Sequence, residues 1–117
     1  MSWIMVAGPY TSCGADEITR RANLHAMNEA ALLLFERGHV PVIGVNLALP
    51  IIEAAGDDRF EEIMMPMSLA LAERCDGCLR IGGPSDGADR EAESFRRRGL
   101  PVYWALSEVP ASGEAPI

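Results

Sequence analysis

The stretch WIMVAGPYTSCGADEITRRANLHAMNEAALLLFERGHVPVI, residues 3–43, decides the fold class of this protein. It opens with five apolar residues that end at Gly8, the pattern of a buried strand followed by a loop. Apolar residues then return at helical spacing over residues 16–37, and Gly38 ends the helix. Residues 39–43 form a second apolar run, whose proline favours an edge strand. This order predicts two parallel strands joined by a helix.

The same alternation continues through the rest of the chain. It predicts a helix or a helical loop at residues 46–55, helices at residues 58–74 and 88–98, and strands at residues 76–81 and 101–105. Such alternation favours an α/β fold with a parallel sheet and helices on both faces. A chain of 117 residues suits one domain. We therefore expect a single domain over residues 1–106 and a flexible tail over residues 107–117, which are rich in proline, serine and glycine.

The composition excludes several classes of function. The net charge of −7 argues against nucleic acid polymers and membrane surfaces, because both are polyanions. All ten basic residues are arginine, so Schiff-base chemistry and a Walker A loop, which both need lysine, are excluded. We see no signal peptide or membrane span, and three cysteines do not form a secreted disulfide framework. These features predict a cytoplasmic protein.

Two polar, glycine-rich loops follow strands one and three, at residues 8–14 and 82–87. In parallel sheets ligands bind outside the carboxyl ends of the strands, so these loops predict the rim of a site. Glu91 lies in the predicted first turn of the helix that follows the second loop. It is either simply a first-turn charge favoured by the helix dipole or a carboxylate aimed into the cleft as nucleophile or general base.

The other polar groups of these loops also allow two interpretations. Ser85 and the backbone amides of Gly87 and Ala88 form either an anion site or an ordinary helix N-cap. Tyr10 and Thr11 either present hydroxyls to a sugar or belong to a turn.

Other reactive residues favour structural roles. Cys75 and Cys78 form a C-x-x-C at a strand opening, without a second pair of ligands for zinc, which favours structural cysteines. His25 and His39 have no triad partners in the sequence pattern. The methionine cluster at residues 64–67 predicts core or a subunit interface. We therefore expect no metal site.

Several segments together resemble the nucleoside 2-deoxyribosyltransferase family. They are Gly8-Pro9-Tyr10-Thr11, then Asn23 and Ala30 ahead of Gly38-His39-Val40-Pro41, then Cys75-Asp76, and finally Ser85-x-Gly87-x-x-x-Glu91 followed by Gly99-Leu100-Pro101-Val102-Tyr103. The resemblance covers residues 3–104. It implies a small flavodoxin-like or Rossmann-like parallel sheet and cleavage of the N-glycosidic bond of a (deoxy)nucleoside or nucleotide. Neither a metal nor an organic cofactor is needed for that reaction.

The resemblance also implies roles for individual residues. Glu91 matches the glutamate that attacks the sugar C1′, in a two-step reaction similar to that of retaining glycosidases. Tyr10 would position Glu91 or the sugar, and Asn46 would contact the base. The remaining substrate-binding residues would be Gly8, Thr11, Ser85, Gly87 and Ala88.

Ser85 and Ser68 bear on the substrate and the chemistry. Six residues before the glutamate, members acting on free nucleosides tend to carry Asp, whereas 2′-deoxynucleoside 5′-phosphate N-hydrolases carry Ser, as Ser85 here. This predicts a nucleoside monophosphate and hydrolysis. The family's Asp that helps protonate the leaving base is replaced by Ser68. Nearby carboxylates that could substitute for it are Asp57, Asp58, Glu61 and Glu62.

Three alternatives to this hydrolase remain open. The first is a nucleoside 2-deoxyribosyltransferase that exchanges bases. The second is a non-catalytic nucleotide-binding module, because Ser68 stands in place of the acid. The third is a structural oligomerisation domain. The resemblance implies a homo-oligomer, with a small-molecule nucleoside or nucleotide as the binding partner.

Overall fold

The computed structural model of the protein describes residues 2–112 and contains four strands and four α-helices. In chain order they are β1 (Trp3–Ala7), α1 (Glu17–Glu36), β2 (Val40–Val42), α2 (Gly44–Ala55), α3 (Phe60–Ala72), β3 (Gly77–Arg80), α4 (Asp86–Arg97) and β4 (Val102–Tyr103). This order confirms the alternation predicted from the sequence, and the bounds agree within two residues.

The strands form one sheet in the order β2-β1-β3-β4, and every neighbouring pair is parallel. β2 lies at an edge, as the position of Pro41 predicted. The chain leaves β1 toward β2 and then returns past β1 to β3 and β4. The carboxyl ends of β1 and β3 therefore flank a topological switch point, where open α/β sheets of this kind bind ligands.

Alternate residues of β1 pack on opposite faces of the sheet. Ile4 and Val6 belong to the core cluster that holds the buried residues of α1, whereas Met5 and Ala7 belong to the cluster that holds those of α4. Helices therefore cover both faces, and the fold is α/β of the small Rossmann-like or flavodoxin-like kind.

The chain beyond β4 packs against the domain as far as Ser112. Val109 is buried, and its carbonyl accepts a hydrogen bond from Arg37 Nη1 at 2.6 Å. The Pro110 carbonyl lies 2.6 Å from His39 Nε2, and the Ser112 N–H donates to the Arg37 carbonyl at 2.8 Å. The packed domain thus extends beyond the predicted boundary at residue 106, because Arg37 and His39, which lie between α1 and β2, offer partners to this segment. Residues 113–117 of the expected tail lie outside the described residues.

Within residues 2–112, none of the helices combines the length and the apolar character that crossing a bilayer requires.

Candidate active site

A cavity of about 230 Å³ opens at the carboxyl ends of β1 and β3. Its walls come from the loop after β1, the N-terminus of α2, one face of α3 and the start of α4. The lining residues are Gly8, Tyr10, Thr11, Ser12, Val45, Phe60, Glu61, Met64, Met65, Ser68, Ser85, Asp86, Gly87, Ala88, Arg90 and Glu91. Seven of the eight sequence-predicted site residues are among them.

Glu91 lies in the cavity wall and is only 8% exposed. Burial raises the pKa of its carboxyl from an ordinary 4.5 to about 8, and the nearby positive charge of Arg80 opposes part of this rise. The carboxyl is therefore mostly protonated at neutral pH in the unliganded protein. The interpretation of Glu91 as a first-turn charge is wrong, because α4 begins at Asp86 and its second turn holds Glu91 as a buried residue.

The N-terminus of α2 approaches Glu91 closely, because its first residue is Gly44. A Cβ at this position would lie 3.3 Å from Glu91 Oε2 and would overlap Ser68 Oγ. The absence of a side chain at Gly44 therefore allows Ser68 and Glu91 to lie close to the backbone of α2. Ser68 is 2% exposed, and its hydroxyl lies 3.9 Å from Met64 Sδ. Ser68, which the resemblance matches to the family's Asp, is thus adjacent to the candidate nucleophile but carries a hydroxyl in place of a carboxylate.

Arg80 ends β3 beneath the site, with a guanidinium that is 5% exposed. It donates to Asp89 Oδ1 at 3.1 Å, to the Ile81 carbonyl at 2.5 Å and to the Gly83 carbonyl at 2.9 Å. These bonds tie the loop after β3 to α4. Sequence reasoning missed Arg80, although a charged residue at the end of an otherwise apolar strand is a signal that could have found it.

The loop after β1 is held against its neighbours by packing and by α1. A Cβ on Gly8 would lie 3.2 Å from both Ile81 Cγ1 and Met27 Cγ, so the two loops at the strand ends approach closely here. Asn23 Nδ2 donates to the Tyr10 carbonyl at 3.1 Å. Tyr10 lines the cavity and an adjoining groove. Within residues 2–112 no hydrogen bond joins Tyr10 to Glu91, so its positioning role stays a prediction.

The start of α4 shows the N-cap that the sequence allowed. Ser85 Oγ accepts a hydrogen bond from the Ala88 N–H at 3.1 Å. This bond occupies one of the two backbone amides that were predicted to bind an anion. The Ser85 hydroxyl hydrogen and the Gly87 N–H have no partner within residues 2–112 and can still donate. Arg90 also lines the cavity and is the one basic residue among the described residues that do so. Arg90 forms no ion pair within the described chain, and sequence reasoning missed it.

One face of α3 forms the wall opposite α4. Glu61, Met65 and Ser68 follow the spacing i, i+4 and i+7, which places them on the same side of a helix. Met64 is buried in the core and Met67 packs against it partly buried, whereas Met65 lines the cavity. The core interpretation therefore holds for Met64, and the subunit-interface alternative stays a prediction. The helical spacing of these residues was the signal that could have revealed this wall.

The structure separates the four carboxylates considered as substitutes for the missing acid. Glu61 alone lines the cavity. Glu62 binds Arg59 through two hydrogen bonds of 2.9 Å. Asp57 lines the adjoining groove, and Asp58 lines neither space.

Asn46 does not lie where the resemblance placed it. Its side chain is exposed and donates to Asn28 Oδ1 of α1 at 2.7 Å. Val45, one position earlier, lines the cavity. Because successive helix residues point about 100° apart, Asn46 turns away from the cavity toward α1. Asn46 is therefore not among the residues that line the cavity, and its contact with a base stays a prediction.

The remaining reactive side chains lie elsewhere. Burial raises the pKa of Cys75 to about 11 and that of Cys78 to about 12, so both remain neutral thiols, consistent with structural cysteines. His25 pairs with exposed Glu29, and His39 is buried against the chain after β4. Among residues 2–112 no three His, Cys, Asp or Glu side chains are grouped as metal ligands would be.

No protein-family model matches the chain, and a search of curated proteins finds no match either. The resemblance to the nucleoside 2-deoxyribosyltransferase family therefore rests on the motifs quoted above, and the chemistry of the site rests on its geometry.

Proposed function

We propose that the protein hydrolyses the N-glycosidic bond of a (deoxy)nucleoside 5′-monophosphate and releases the free base, with Glu91 as nucleophile. The observation that carries this proposal is the burial of the Glu91 carboxyl in the wall of an open cavity, where its pKa rises to about 8. Burying a carboxyl without a paired charge opposes folding. Strongly perturbed carboxyls in clefts are accordingly candidates for catalytic groups.

The reaction proceeds in two displacements at C1′. In the first, a Glu91 oxygen bonds to C1′ while the C1′–N bond breaks, and its electron pair leaves with the base, which takes a proton from water. In the second, water attacks C1′, loses its proton to solvent and releases the Glu91 carboxylate. This sequence follows the logic of retaining glycosidases and requires neither a metal nor an organic cofactor.

The start of α4 supports a phosphate on the substrate. The hydroxyl of Ser85 and the N–H of Gly87 lie at a helix N-terminus, which favours anions. The guanidinium of Arg90, one turn further along the same helix, supplies a positive charge at the cavity. Together they offer donors to a 5′-phosphate while the sugar C1′ faces Glu91.

Exposed apolar side chains on α1 support the proposal that the protein forms a homo-oligomer. They are Ile18, Leu32, Leu33 and Phe35. Three of them lie together in the last turns of α1, and clusters of exposed apolar side chains mark sites of protein association.

The test is free-base release, followed by chromatography, from a panel of ribo- and deoxyribonucleoside monophosphates and their dephosphorylated forms. Wild-type protein is compared with Glu91→Gln and with Glu93→Gln, a matched control whose side chain is exposed and pairs with Arg96. We expect release by wild type and Glu93→Gln, and a loss of at least 1,000-fold in Glu91→Gln, roughly the size expected when a covalent nucleophile is removed. Equal release by Glu91→Gln would overturn the proposal.

Two further arms separate the alternatives. Arg90→Gln should reduce the preference for monophosphates over free nucleosides, because a charge-assisted hydrogen bond is lost. A free base added as acceptor would yield a new nucleoside only if the protein is a transferase. Binding of nucleotides without any release would instead favour a binding module, for which the buried hydroxyl of Ser68 in place of an acid is the supporting feature.

A further inference from the structure

The first two turns of α3 line a part of the cavity to which the proposed chemistry assigns no residue. The lining residues there are Phe60, Glu61 and Met65. Met65 Sδ lies 3.3 Å from the position that a Cβ on Gly87 would occupy, so it borders the donors at the start of α4 that would hold the phosphate. The ring of Phe60 and the thioether of Met65 are apolar groups that can pack against a planar base.

Glu61 is the polar group in this part of the cavity, and its acceptors are open. Within residues 2–112 its carboxylate takes part in no ion pair or side-chain hydrogen bond. Its neighbour Glu62 is engaged by Arg59 at 2.9 Å through both oxygens and lies outside the cavity. Glu61 can therefore give both oxygens to a ligand in the cavity, and a carboxylate accepts hydrogen bonds only from N–H or O–H donors.

The spacing along α3 sets the distance from Glu61 to the reacting end. Ser68 lies seven residues after Glu61 on the same face, which corresponds to about 10 Å along the helix axis. Ser68 and Glu91 both approach the same point at Gly44. Glu61 thus lies about two turns of α3 away from the residue that approaches Glu91, and the base of a bound nucleoside would fill the cavity between them.

We propose that Glu61 is a specificity-determining residue that accepts a hydrogen bond from an amino group of the base. This inference rests on the proposed function for the placement of the sugar. A base with an amino group at this edge gives the carboxylate a donor. Hypoxanthine has only a hydrogen at C2, where guanine carries its amino group, so that donor is lost. Uracil has a carbonyl oxygen where cytosine carries its amino group, so the carboxylate meets a second acceptor. The substrates are therefore amino-bearing bases such as guanine or cytosine, in preference to hypoxanthine or uracil.

The test compares substrate pairs that differ at the amino group. Binding of the deoxynucleoside monophosphates of guanine and hypoxanthine, and of cytosine and uracil, is measured by calorimetry in the Glu91→Gln background, which prevents turnover. We expect the amino-bearing member of at least one pair to bind roughly 10- to 100-fold more tightly, the size of a hydrogen bond to a charged group. In Glu61→Gln this preference should fall to about threefold or less, whereas Glu62→Gln should keep it.

The outcomes distinguish this inference from the proposed hydrolysis. Three results would overturn the role of Glu61. The preference for the amino-bearing base is absent from both pairs, or it survives in Glu61→Gln, or none of the four nucleotides binds. Base release by wild-type protein is scored separately on the same nucleotides. A preference that depends on Glu61 without any release would leave the recognition role standing and remove the hydrolase. Base release without such a preference would support the hydrolase and remove the recognition role of Glu61.

Discussion

Replacing Glu91 by glutamine should stabilise the folded protein by an amount that grows with pH. The folded state raises the pKa of this carboxyl from 4.5 to about 8, so the folded protein holds a proton that the unfolded chain releases between these values. The wild-type contribution to stability is therefore fully present below pH 4.5, falls as the pH rises from 4.5 to 8, and is constant above pH 8. Glutamine does not titrate, so the variant lacks this loss.

The magnitude follows from the two pKa values. Each tenfold change in proton affinity corresponds to about 1.4 kcal/mol. Between pH 5 and pH 9 the difference in unfolding free energy between Glu91→Gln and wild type should increase by about 4 kcal/mol, given a folded pKa of about 8. This is a large part of the stability of a typical domain of this size.

Urea titrations at a series of pH values measure this difference directly, because a single domain of this length is expected to unfold in one step. Glu93→Gln serves as the control, since Glu93 lies on the same helix but is exposed and paired with Arg96. Its difference from wild type should stay within about 1 kcal/mol at every pH. Parallel stability curves for Glu91→Gln and wild type would refute the burial argument, and with it the raised pKa.

Two further predictions concern the same site. The kcat/KM for base release should rise about tenfold per pH unit up to pH 8 and then level off, because the nucleophile must be ionised and the pKa of Glu91 is about 8; a fall above pH 8 would show that Glu91 acts as an acid instead. Gly44→Ala should reduce base release at least tenfold and cost about 1 to 3 kcal/mol of stability, because its Cβ would overlap Ser68 Oγ and approach Glu91. Gly83→Ala, whose Cβ meets no atom within 4 Å, is the matched control, and an equal loss in both variants would contradict the close-approach argument.

The fold was predictable from the sequence because its signals are local. Apolar runs, helical spacing and glycines at helix ends indicate each element from a few neighbouring residues, and alternation then fixes a parallel sheet. The same logic placed the loops at residues 8–14 and 82–87 at the strand ends, where the cavity lies. The position of the candidate site could therefore be predicted without any knowledge of its chemistry, since topology alone brings these loops together.

The features that the sequence did not predict depend on the direction in which a side chain points and on contacts between residues far apart in the chain. Asn46 and Val45 are adjacent in the chain, but only Val45 faces the cavity, because the first turn of α2 begins at Gly44 and this start fixes the rotation of the helix. The packing of residues 107–112 depends on the carbonyl and guanidinium of Arg37, which lies about 70 residues earlier. Composition indicates a frayed tail there, whereas tertiary hydrogen bonds hold it in place.

The burial of Glu91 itself is an argument about function. Its carboxyl is mostly enclosed, and within residues 2–112 it accepts no hydrogen bond that would satisfy it as a structural group. A glutamine or an apolar residue would fill the same space without the cost of removing a carboxylate from water. The guanidinium of Arg80 opposes only part of that cost, since the pKa remains near 8. A carboxyl that weakens the fold above pH 4.5, and that lines an open cavity beside Gly44 and Ser68, supports the proposal that Glu91 acts on a ligand, because packing alone gives no reason to bury a carboxyl here.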